Sequence, residues 1–137
     1  MESLTIDYAG GFKFVTQVRG HTIISDQPVD QQGEDLGPTP PEFFAASLGA
    51  CVGVYAAYFA NKHPELSLDG MRIDVAWEKA PEPPSRIGTI QIKVILPAGV
   101  PERLREPLYR SMASCLIHST LTHVPQIELV LEGQATS

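Results

Sequence analysis

At 137 residues the chain has room for one hydrophobic core and not for a second. Apolar residues make up 43% and charged ones 19%, the balance of an ordinary folded domain, which excludes a disordered chain, a collagen and a coiled coil. Ten Lys and Arg against sixteen Asp and Glu leave a formal charge of -6, the wrong sign for a nucleic-acid surface, so small molecules are the expected ligands.

Met1 to Ala9 carry no basic patch, apolar stretch or small-residue cleavage site, so a cytoplasmic protein is expected. Leu4–Tyr8 and Phe12–Val18 read as strands on either side of Ala9-Gly10-Gly11, with a third short strand at His21–Ser25 that leaves Arg19 among strand residues. From Asp26 to Pro41 the pattern dissolves into Asp, Gln, Gly and Pro. A loop of that length without secondary structure is a candidate border of a functional site.

The loop ends at a helix start. Thr39 suits the N-cap, Pro40 the first helical position, and Glu42 stands at capping-box spacing, which predicts a helix from Pro40 to about Lys62. No charge occurs from Phe43 to Ala60, and apolar groups occupy every side, so this helix is expected to be buried all round. Its length raises a membrane span, but nine of those eighteen residues are Ala, Gly or Ser and the rest of the chain has a soluble pattern. No membrane is expected. His63-Pro64 ends the helix.

Met71, Ile73, Val75 and Trp77 alternate with Arg72, Asp74 and Ala76, and Ile90, Ile92, Val94 and Leu96 alternate with Thr89, Gln91 and Lys93, and the proline-rich Lys79–Ser85 joins the two strands as a hairpin. Leu104, Leu108, Met112 and Cys115 or Leu116 recur at helical spacing from about Glu102 to Leu116, with Pro107 expected to kink or restart that helix. Ile127, Leu129 and Leu131 predict a last strand, and the residues after Glu132 a frayed tail. Hairpin-joined strands with helices between them describe an α+β fold in one domain, residues 1–137.

Cys51 and Cys115 are too few for a disulfide scaffold and wrongly spaced for a zinc ribbon. They are either inert core thiols or a redox couple. A reactive thiolate at Cys51 needs a cation to lower its pKa, and outside the second helix the candidates are Arg19, Arg72 and Arg86. Cys115-x-x-His118 hints at a metal, but the chain offers no cluster to complete the site, so no metal and no cofactor are expected. The plainer reading keeps Cys115 as the last apolar tooth of its helix and His118 as a solvated or capping residue.

Gly37-Pro38-Thr39-Pro40-Pro41-Glu42 leading into Leu48-Gly49-Ala50-Cys51, with Cys115-x-x-His118-x-x-Leu121, Val18-Arg19-Gly20-His21 and Ser25-Asp26, resembles the OsmC/Ohr family, and its OsmC-like branch most closely. The resemblance implies antiparallel sheets around a long central helix in an intertwined homodimer, with two sites at the subunit interface. It further implies a cysteine peroxidase. Cys51 would attack a small-molecule hydroperoxide and Cys115 would resolve the sulfenic acid as a disulfide, later reduced by an external dithiol. Arg19 would stabilise the thiolate and the departing oxygen, and Glu42 would hold the arginine. Leu116 follows Cys115 where the family has a proline.

Peroxide cleavage by a thiolate leaves charge on the departing oxygen, which a fixed cation stabilises, and the apolar neighbours of Cys51 suit an organic hydroperoxide. Glu42 precedes Cys51 by nine residues, roughly 180° around a helix and about 13 Å along it, so any link between them runs through an arginine. Otherwise Glu42 is only a cap. A reading from a different class keeps the fold as a binding module that holds a small hydrophobic ligand at the dimer interface, with both cysteines merely packed.

Overall fold

A computed structural model of the chain describes residues 1–133. Strands β1 (Thr5–Tyr8), β2 (Phe14–Val18) and β3 (His21–Ser25) form an antiparallel meander, with Phe14 paired to both Tyr8 and Ser25. Val18 pairs with His21, so the β2–β3 connection is the two residues Arg19-Gly20, both with positive φ (47° and 79°). Such a turn matches the twist of a hairpin, and its second position suits glycine. Arg19 therefore sits at the exposed tip of the hairpin, not on a strand as expected, because the short connection takes it out of the ladder.

The long loop is ordered by one buried carboxylate. Asp26 is 1% exposed, and its oxygens accept the backbone N–H groups of Gln27 (2.7 Å), Leu36 (3.2 Å) and Glu34 (3.3 Å). Burial alone would raise its pKa, but these three donors and the charge of Lys13 outweigh it and hold the carboxyl below its ordinary value. Lys13 also pairs with Glu34 at 3.0 Å, tying the first hairpin to the loop.

Helix α1 (Pro40–Asn61) begins as its sequence dictates. Thr39 accepts the Glu42 N–H, and Glu42 Oε1 accepts the Thr39 N–H at 2.8 Å, closing the capping box. At the other end the His63 ring stacks on Phe59, and Pro64 follows. Strands β4 (Arg72–Lys79) and β5 (Ile87–Ile95) form the expected antiparallel hairpin. Helix α1 lies close on β4 because position 49 is glycine: a Cβ there would come within 2.9 Å of a Val75 methyl. Leu48, Val52 and Ala56 of α1, Leu66, and Leu104, Leu108 and Met112 of α2 (Glu102–Ala113) make the core, with Cys115 among them.

Three further expectations are corrected. Helix α1 has the length and hydropathy of a membrane span, yet it is not buried all round. Ala45, Leu48, Gly49, Val52 and Ala56 face the core, while Ala46, Ala50, Val54 and Tyr58 stay exposed, because one chain covers only one side of a helix this long. The second helix runs through Pro107 without restarting but stops at Ala113, and a separate helix α3 spans Leu116–Thr122. Cys115 is its N-cap, not the last tooth of the preceding stripe. Finally, Ile127, Leu129 and Leu131 form no strand among the described residues and stand 86%, 98% and 98% exposed. The tail expected after Glu132 lies, beyond Gly133, outside the described residues.

Candidate functional site

Two cysteines 64 residues apart in sequence meet where α1, α2 and α3 converge. Cys51 is carried by α1 one position from the buried Val52, which leaves its thiol half-buried at the edge of the core. Cys115 stands between α2 and α3 and is fully buried. Both are free thiols.

The position of Cys115 follows from the end of α2. The Ser114 N–H returns to Ser111 O and the Cys115 N–H to Met112 O, both at 3.2 Å, which satisfies the last carbonyls of α2 and turns the chain. Cys115 then caps α3, its Sγ accepting the His118 N–H at 3.3 Å. The His118 ring reaches back, Nδ1 lying 2.9 Å from the Ala113 carbonyl. A carbonyl only accepts, so Nδ1 is the protonated nitrogen. Ser111 Oγ donates to the Tyr55 carbonyl at 3.0 Å, which fastens this junction to α1 one turn beyond Cys51.

Burial pushes the Cys115 thiol above its ordinary pKa, the neighbouring Cys51 thiol pushes it further, and the N–H groups of His118 and Ile117 only partly offset them. Cys115 therefore rests as a neutral thiol. Its partner is the one of the two that solvent reaches.

The structure distinguishes among the expected cations. Arg72 is taken up by Asp74 (3.3 Å) and Arg86 by Glu82 (2.8 Å), both on the surface. Arg19, by contrast, makes no ion pair among the described residues. Its hairpin tip is at the opposite end of the β2–β3 ladder from Phe14 and Ser25, which line a groove of about 760 Å³ with Phe43, Phe44 and Ser47 of α1. Glu42 stands at the start of α1, with one oxygen committed to the cap and its pKa held down by the Thr39 N–H and hydroxyl. The site is thus a dithiol, with Arg72 and Arg86 paired to surface carboxylates. Among the described residues no three His, Cys, Asp or Glu side chains gather as a metal site requires.

The junction that places Cys115 was missed in the sequence. Its signal was present: Cys115 and His118 have the N-cap to N3 spacing, and Ser111 lies four residues before the cysteine. Asp26, the organiser of the loop, carries the turn chemistry of an Asp ahead of Gln-Pro.

A family model described as OsmC-like protein matches residues 33–130. No curated protein matches the chain by sequence. Among solved structures, the chain resembles a proposed osmotic-stress-induced and detoxification-response protein from Psychrobacter arcticus, with 21% identity, 88% of each chain covered and a TM-score of 0.76. It also resembles an OsmC-like protein from Mycoplasma pneumoniae (16% identity, 89% of this chain and 87% of that one, TM-score 0.75). A third relative in structure is an organic hydroperoxide resistance protein from Legionella pneumophila, described as a predicted redox protein (17% identity, 88% and 90% covered, TM-score 0.63). At these identities the likeness establishes the α+β fold.

Proposed function

Since the chain belongs to the OsmC-like family, whose model spans residues 33–130, we propose that it is a thiol peroxidase for organic hydroperoxides, with Cys51 attacking and Cys115 resolving. The observation that carries this reading is the asymmetry of two neighbouring free thiols, one reachable from solvent and one sealed in the core. An attacking sulfur has to meet substrate. A resolving sulfur has to meet only the first.

The Cys51 thiolate attacks the outer oxygen of the hydroperoxide, the O–O bond breaks, and the alkoxide leaves and takes a proton as alcohol. Cys51 is then a sulfenic acid. The Cys115 sulfur displaces its hydroxyl, which leaves with the Cys115 proton as water, and the Cys51–Cys115 disulfide forms before further oxidation. An external dithiol restores both thiols by exchange, itself becoming a disulfide. Arg19 supplies the cation for the thiolate and the leaving oxygen, and the second carboxylate oxygen of Glu42 orients it.

That geometry calls for a homodimer, in which Arg19 reaches the site from the partner subunit. Three features support it: the exposed apolar side of α1, the groove between α1 and the N-terminal sheet, and the unpaired run around Leu129. The hydrocarbon lining of that groove suits the tail of an organic hydroperoxide.

The test is stoichiometric oxidation. Cumene hydroperoxide should be consumed at one equivalent per chain with an intramolecular Cys51–Cys115 disulfide as product, Cys51→Ser should abolish consumption, and Cys115→Ser should leave a trappable sulfenic acid. Thiols that ignore peroxide, with an apolar ligand retained at the subunit interface, would replace the peroxidase by a binding module.

A further inference from the structure

We propose that His118 is a positioning residue for disulfide formation: it holds the α2–α3 junction closed from both sides and so keeps the Cys115 sulfur against Cys51. The inference rests on the peroxidase reading for its biological sense, but the geometry stands apart from it. One residue makes both contacts. The backbone N–H of His118 is donated to Cys115 Sγ at 3.3 Å, and its Nδ1–H to the Ala113 carbonyl at 2.9 Å. The second bond spans the turn that contains Cys115 and uses the final carbonyl of α2, which has no partner inside its own helix. The ring itself is exposed, so it contributes little to the core, and its effect is concentrated in the direction the cysteine takes.

Nothing covalent constrains this turn. Leu116, at the first position of α3, is an ordinary residue with free φ, and it is 66% exposed, so it does not pin the helix start by packing. The His118 side chain therefore adds a clasp across the turn to the backbone bonds at Ser114 and Cys115. In the resolving step the Cys115 sulfur has to approach the Cys51 sulfur in line with the bond to the departing hydroxyl. A displacement of about 1 Å at such a step costs as much as a hundred-fold in rate. Cys51 oxidation itself does not involve the junction.

His118→Ala should therefore leave Cys51 sulfenic acid formation, measured in a Cys115→Ser background, unchanged. In the otherwise native chain it should slow conversion of that sulfenic acid to the disulfide by about ten-fold or more, so that dimedone captures Cys51. His118→Asn, whose side-chain amide carries an N–H at the place of Nδ1, should restore the rate. Diamide, which takes up two electrons and two protons from a pair of thiols, supplies an arm independent of peroxide chemistry: it should cross-link His118→Ala more slowly than wild type, with Asn again restoring the rate. Equal rates of disulfide formation in wild type and His118→Ala would overturn the inference in either arm. A wild-type chain that forms no sulfenic acid with hydroperoxide would overturn the peroxidase reading, and the diamide arm would still decide the role of His118.

Discussion

The Ser111 hydroxyl donates to the Tyr55 carbonyl at 3.0 Å, and each of these residues lies four positions from a cysteine: Tyr55 after Cys51, Ser111 before Cys115. This bond ties helices α1 and α2 together one turn from each cysteine. Removing it with Ser111→Ala should cost about 1 kcal/mol, because the Tyr55 carbonyl loses its bond to a side chain and no large cavity opens. Urea denaturation would measure the loss, and quenched alkylation should show slower Cys51–Cys115 cross-linking. Unchanged cross-linking would mean that the core alone sets the sulfur approach.

Glu42 serves the capping box in the structure and, by proposal, the arginine as well. The two roles separate by substitution. Glu42→Gln keeps the box, since glutamine occupies the same N3 role, but removes the charge, so stability should hold while the rate of peroxide attack falls. Thr39→Ala should do the reverse, lowering stability by about 1 kcal/mol with little change in rate. Full activity in Glu42→Gln would leave Glu42 as a cap only.

Val54, 45% exposed, lies on the uncovered side of α1 between Ala50 and Tyr58. Val54→Glu should convert the proposed dimer to monomers in sedimentation and, by preventing the proposed delivery of Arg19, abolish peroxide turnover. Wild-type protein that sediments as a monomer would rule out the proposed delivery of Arg19.

The Asp26 carboxyl binds its proton less readily in the folded chain than in the unfolded one. Its contribution to stability is therefore complete above the unfolded pKa and is lost as pH falls through the lower folded value. Stability should be level from neutral pH down to about pH 5 and decline below about pH 4. In Asp26→Asn, where an NH2 group replaces one acceptor, stability should be lower at pH 7 and the acid decline shallower. Chemical denaturation across pH would show both, and parallel curves for the two proteins would contradict the assignment.

Much of the fold is local and was readable as such. The bounds of α1 follow from Thr39, Pro40 and Pro64, the β4–β5 hairpin from alternation, and the α2 stripe from Leu104, Leu108 and Met112, because caps, prolines and side-chain period act within a few residues. Cys115 shows where that stops. Its apolar spacing fits a helix tooth as well as an N-cap, and hydrogen bonds of the Ser111–His118 stretch, not hydrophobicity, decide between them. Arg19 was displaced for a similar reason, by a two-residue turn whose register depends on the partner strand.

The sequence by itself determined the order of elements, the ends of the long helix and the presence of two cysteines in apolar surroundings. Tertiary structure alone decided that those sulfurs adjoin, that only Cys51 is open to solvent, and which side of α1 is left bare. Such facts depend on contacts between segments far apart in the chain, and periodicity reports which residues share a face without reporting what covers it.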